Sequence, residues 1–165
     1  MRKFAIVFAL LIVGLTAQIS FGQDQNQKDK EMLIKAARFI EEKPFDKQAK
    51  DIRAWAVKYS SDTKDVTVII CGGTASPLLD KKNKFGSELL GQYLIAMTAF
   101  KLEQPTKAND ENAAQLYGLE SVLKTYEAML KENPKAKATK IEELLTKRND
   151  GTLTKFVADA ECGKK

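Results

Sequence analysis

A β-sheet needs at least two strands, and this chain offers material for one. Val66-Thr67-Val68-Ile69-Ile70-Cys71 is nearly all β-branched, which suits a pleated strand, and no second run of that kind exists to pair with it. A lone strand leaves its ladder groups without partners. Residues 66–71 therefore read as a short extended or irregular buried passage, or as a helix if packing overrides local preference. Elsewhere apolar residues recur in steps of three and four, the period of an α-helix. The fold class is all-α: five to six antiparallel helices in an orthogonal or helical-hairpin bundle.

The helices can be placed one by one. Met32, Leu33, Ala36, Ala37, Phe39 and Ile40 predict a helix over about 29–42, stopped by Pro44. Asp46 is placed to cap a second helix, with Ala49, Ile52, Trp55, Ala56 and Tyr59 inward and Ser60-Ser61-Asp62 as its stop. Gly72-Gly73 reads as a turn, and Ser76-Pro77 as the N-cap and first residue of a short helix. Residues 81–86 read as loop. From Ser87 to Leu102 apolar residues cover nearly the whole circumference, which predicts a central, buried helix. Asn109 or Asp110 caps the next one, whose stripe is Leu116, Leu119, Leu123, Tyr126 and Leu130, with Asn133-Pro134 as its end. Ile141, Leu144 and Leu145 define a further helix closed by Asn149-Asp150-Gly151. Leu153, Phe156, Val157 and Ala160 define a last short one carrying Cys162.

The N-terminus reads as an export signal. Arg2 and Lys3 precede an apolar stretch from Phe4 to Leu15, and Ser20 and Gly22 supply the small residues of a cleavage site before Gln23. The apolar stretch is shorter than the ~20 residues that a membrane span wants. Residues 1–22 are thus expected to be removed, leaving 23–165 as a single helical domain, periplasmic or secreted, without stable membrane insertion. Residues 23–30 are all polar and are expected to be disordered.

Removing residues 1–22 takes away two of 27 basic residues and none of the 22 acids, so the net charge falls from +5 to +3. The charges are interspersed, as on a solvated helix surface, and only four are arginine, which argues against a nucleic-acid partner. The one dense basic loop is Lys81-Lys82-Asn83-Lys84. Two cysteines remain, Cys71 and Cys162. An even count in an exported protein predicts a bridge. Closing a loop of about 90 residues is worth roughly 4–5 kcal/mol in the chain-entropy account.

Residues 126–134, Tyr-Glu-Ala-Met-Leu-Lys-Glu-Asn-Pro, resemble the second helix of a tetratricopeptide repeat, with Tyr126 eight residues before the terminal Pro134. Met129 stands where that family prefers Ala, and no second copy follows at its period. The resemblance implies a helical hairpin and protein–protein recognition. The layout of the whole chain also resembles small exported proteins of bacteria, a likeness that implies no activity.

Chemistry is narrowed by the complete absence of histidine. Ser-His-Asp and Cys-His catalysis, common zinc sets and ordinary haem ligation all need it, so no metal or cofactor is expected. Cys71-Gly72-Gly73-Thr74 lacks the spacing of a phosphate-binding loop. Acid chemistry stays open, with Glu88, Glu103 and Glu120 nearest apolar faces. The expected function is that of an exported, non-catalytic helical domain that binds an envelope or extracellular protein. Two alternatives stand beside it: a small-ligand binder or acid-dependent enzyme, and an inhibitor or stress protein acting through the 81–86 loop, with Lys81, Lys82 and Lys84 as its contact surface.

Overall fold

The computed structural model describes residues 24–162. The proposed signal, its cleavage point and Lys164-Lys165 lie outside these residues. The all-α reading holds, with seven helices among the described residues instead of five or six. They are α1 (24–42), α2 (Ala49–Asp62), α3 (Gly72–Ala75), α4 (Gly86–Glu103), α5 (Glu111–Glu132), α6 (Thr139–Asn149) and α7 (Leu153–Asp159). Single 3₁₀ turns at Pro105–Lys107 and Pro134–Ala136 follow α4 and α5. In each, proline takes the first position, where its missing N–H costs nothing.

Residues 24–30 differ from expectation: they are helical. Polar composition does not prevent this. Lys28 pairs with Asp24 at 2.7 Å, Gln25 donates to Asp29 at 2.8 Å and Gln27 to Glu31 at 3.1 Å, all one helical turn apart.

The remaining residues, 33–162, are organised around α4. Its Leu89, Tyr93 and Met97 pack with Leu119, Leu123, Tyr126, Ile141, Leu144, Leu153 and Val157 of α5, α6 and α7. Its Ile95 and Ala99 pack with Leu33, Ala36, Ala37 and Ile40 of α1 and with Ala56 of α2. A helix with core on both sides has no solvent face of its own, which is why α4 is apolar nearly all round. The pairs Gln92–Ser121, Tyr93–Gln115 and Lys101–Glu111 run in opposite directions along the two chains, so α4 and α5 are antiparallel. Gly118 lets them close: a Cβ there would lie 2.7 Å from the Tyr93 ring and 2.8 Å from Met97.

Several local expectations are corrected. Asp46 is not the cap of α2; its carboxylate accepts from Gln48 N–H at 2.8 Å and closes the preceding turn. Of the two candidates before α5, Asp110 is the cap, accepting from Ala113 N–H at 2.9 Å. Ser76-Pro77 does not begin a helix. The helical turn lies one step earlier, at Gly72–Ala75, and Ser76 follows its end. Tertiary contacts draw it there. A Cβ on Gly73 would stand 3.0 Å from the Cβ of Ala160, and Thr74 reaches into the α4–α5 seam. Glycine is chosen for that close approach, not for a turn. Gly151 is the reverse case: its φ of 78° is the left-handed conformation that ends α6. Cys162 lies just beyond α7, not on it.

Candidate functional site

Residues 63–71 join α2 to α3 and form no ladder and no helix. The backbone is extended at both ends, at Thr63 and Cys71. No residue between them has positive φ. Val66 and Val68 are half-buried while Thr67 and Ile69 are exposed, the two-residue alternation of an extended chain. The expectation of a buried passage is corrected: Ile69 and Ile70 are 44% and 45% exposed.

Two polar side chains from the helical body hold the segment. Lys101 of α4 donates from Nζ to the Thr67 carbonyl at 2.7 Å and to Glu111 Oε1 of α5 at 2.6 Å. Its side chain is only 2% exposed, so the charge is compensated by position: a cation in the last turn of α4 faces an acid in the first turn of α5. Gln115 of α5 donates from Nε2 to the Ile69 carbonyl at 2.5 Å. Its other end joins a buried polar cluster. Gln115 Oε1 accepts from Tyr93 and from Thr74 Oγ1, the latter at 2.8 Å, and Thr74 and Tyr93 hydroxyls meet at 2.7 Å. Burial pushes the Tyr93 hydroxyl up to about 12, against the opposing hydrogen bond from Thr74.

The far end of the segment is covalent. Cys71 is bonded to Cys162 with a Cα–Cα distance of 5.7 Å and a sequence separation of 91. The bridge ties the end of the extended run to the turn after α7.

Beside the segment lies an open cleft of about 340 Å³. Val66, Thr67, Val68 and Ile70 line one wall, Ser60, Ser61 and Thr63 from the end of α2 line the other, and Leu94 of α4 also lines it. Ser60 is 7% exposed, and its buried hydroxyl has no hydrogen-bond partner among the described residues.

The other candidates do not line this cleft. Lys81, Lys82 and Lys84 are exposed on a turn that holds itself: Asp80 accepts from Lys82 N–H at 2.7 Å, and buried Asn83 bonds the Leu78 carbonyl at 3.2 Å and Phe85 N–H at 3.2 Å. None of these lysines lines the cleft. Glu88 and Glu103 stand near opposite ends of α4, about 22 Å apart along its axis at ~1.5 Å per residue. Carboxylates at that separation do not act on one bond. Glu88 accepts from Ser87 at 2.8 Å, Glu103 pairs with Arg38 at 2.6 Å, and Glu120 is exposed. Tyr126, the residue that carries the repeat resemblance, donates to Glu142 at 2.6 Å and accepts from Ala138 N–H at 3.0 Å, pinning the end of α5 to the start of α6.

Sequence reasoning missed Lys101, Gln115 and Ser60. A signal existed for Lys101: it is a charge inside the one run that is apolar on all sides. No helix among the described residues is long and apolar enough to cross a membrane. Comparison of the chain with family models, curated proteins and solved structures returned no match.

Proposed function

We propose that this is an exported, non-catalytic binding protein, and that it recognises a partner protein through the surface formed by residues 63–71. One observation carries the reading. Two large aliphatic side chains, Ile69 and Ile70, remain about half exposed on a segment that the protein nevertheless fixes with a buried lysine, a buried glutamine and a disulfide. Fixing an apolar segment at the surface orders it at a conformational cost, and ordered exposed apolar residues are the usual anchors of protein recognition. The disulfide fits an oxidising compartment. The helical-hairpin likeness at 126–134 supports an interaction role as well, although it concerns a different face of the fold.

Two measurements test the reading. Mass spectrometry of the protein from the cells that make it should give a chain starting at Gln23, lighter by two hydrogens than its reduced form; a chain retaining Met1, or free thiols, would remove the export half. A photo-reactive residue at position 69 should form adducts with one envelope or extracellular protein, while the same residue at position 155, on exposed α7, should not. Equal labelling from both positions, or none from either, would remove the binding half.

A further inference from the structure

We infer that the partner enters as an extended segment, adding to Val66–Ile70 as a β-strand with an apolar residue seated in the cleft. The inference rests on the reading above and specifies the partner's chemistry. In an extended chain, residues two apart present their N–H and C=O groups on the same edge. The edge carrying Thr67 and Ile69 is turned to the helical body, where Lys101 and Gln115 take both carbonyls. The backbone groups of Val66, Val68 and Ile70 therefore lie on the opposite edge. Among the described residues no backbone–backbone hydrogen bond engages residues 66–70. That edge is a template for strand addition.

The cleft is lined by Val66, Thr67, Val68 and Ile70 of the segment, by Ser60, Ser61 and Thr63 at the end of α2, and by Leu94 of α4. None of the described residues that line it is charged. The segment that fits is apolar and uncharged where it crosses Leu94, with its own backbone pairing to Val66, Val68 and Ile70. At about 340 Å³ the space is at the lower end of small-ligand pockets, ~300–1,000 Å³, and suits one or two side chains, not a folded surface. A second folded copy is a poorer occupant, because a folded surface does not enter a space of that volume.

The test uses the oxidised mature protein, labelled with ¹⁵N, and a capped peptide of alternating valine and threonine with lysine at each end. A second peptide of the same sequence is N-methylated at alternate residues, so that one backbone edge can no longer donate. The expected result is amide shifts concentrated at Val66, Val68 and Ile70 with the first peptide. Affinity should fall at least about tenfold with the methylated peptide and with Leu94→Trp, which fills the cleft. The peptide comparison needs no variant, so a Leu94→Trp chain that fails to fold leaves the test intact. Equal binding of both peptides, shifts centred elsewhere, or no shifts at millimolar peptide would overturn strand addition. So would a dimer of the protein alone that Leu94→Trp abolishes, because a second copy would then be the occupant. Should position 69 capture a partner while the peptides fail, the binding surface stands and strand addition falls.

Discussion

Along the seam between α4 and α5, Tyr93, Met97, Leu119 and Leu123 are fully buried; a short way along the chain, Ile69 and Ile70 stay 44% and 45% exposed. Side-chain apolarity does not separate these two regions. Backbone chemistry does. A helix satisfies its own N–H and C=O groups and can be buried without further partners. Residues 66–70 have neither a helix nor a second strand, so burying them would strand several backbone groups. The protein buries Val66 and Val68 partly, supplies two carbonyls with Lys101 and Gln115, and leaves the backbone groups of Val66, Val68 and Ile70 without a backbone partner among the described residues. The open surface thus sits where hydrogen bonding forbids burial, not where the sequence is most polar.

The contrast can be broken most severely at the disulfide. Replacing Cys71 and Cys162 together by serine should cost about 4–5 kcal/mol in the chain-entropy account for a 91-residue separation. Urea unfolding should register it, and hydrogen exchange should rise first around residues 71–75 and after α7; an unchanged midpoint would show that the bridge does not stabilise by restricting the unfolded chain. Next comes Lys101→Met. It keeps the apolar stem but leaves Glu111 and the Thr67 carbonyl without their partner. A loss of about 3 kcal/mol is expected, at the low end for a buried pair because the Glu111 side chain is 17% exposed. A loss below half of that, with residues 66–70 unmoved in the amide spectrum, would mean that Lys101 does not hold the segment.

Alkaline titration sharpens the other side of the comparison. Burial pushes the hydroxyls of Tyr93 and Tyr126 up to about 12, and at Tyr126 the bond to Glu142 adds to it. Unfolded tyrosine ionises near 10, so the folded state holds these protons longer. Their stabilisation is complete below pH ~10 and is lost as pH rises towards ~12, by about 2–3 kcal/mol for each. Chemical denaturation of Tyr126→Phe should show a shallower alkaline loss than the parent; identical profiles would contradict the assignment. The smallest effect is expected from Gly118→Ala, about 2 kcal/mol of overpacking against Tyr93 and Met97. Wild-type stability in a thermal melt would mean that the seam has slack where none is visible.

Much of the helical core was legible in advance. Of the stripe Leu116, Leu119, Leu123, Tyr126 and Leu130, the middle three are fully buried and the two ends partly, and Pro44, Pro105, Pro134 and Gly151 end or follow helices where backbone geometry requires it. The short elements were not. Ser76-Pro77 has the local signature of a helix start, yet the turn forms at Gly72–Ala75, because Thr74, Gly73 and Cys71 each meet partners distant in sequence. Four residues of local preference do not outweigh such contacts. The candidate surface was half legible: its β-branched run and its cysteines stand out, while the lysine and glutamine that hold it look like ordinary helix residues.

By itself, then, the sequence determined that the molecule is helical, where its long helices run, and that one extended-prone segment lacks a mate. Periodicity and backbone breakers are local properties, written in neighbouring residues. Tertiary structure alone decided that the unmated segment lies at the surface, which edge is occupied and which is open. Those outcomes depend on Lys101, Gln115 and Cys162 arriving from 34, 46 and 91 residues away. No window of neighbouring residues contains that information.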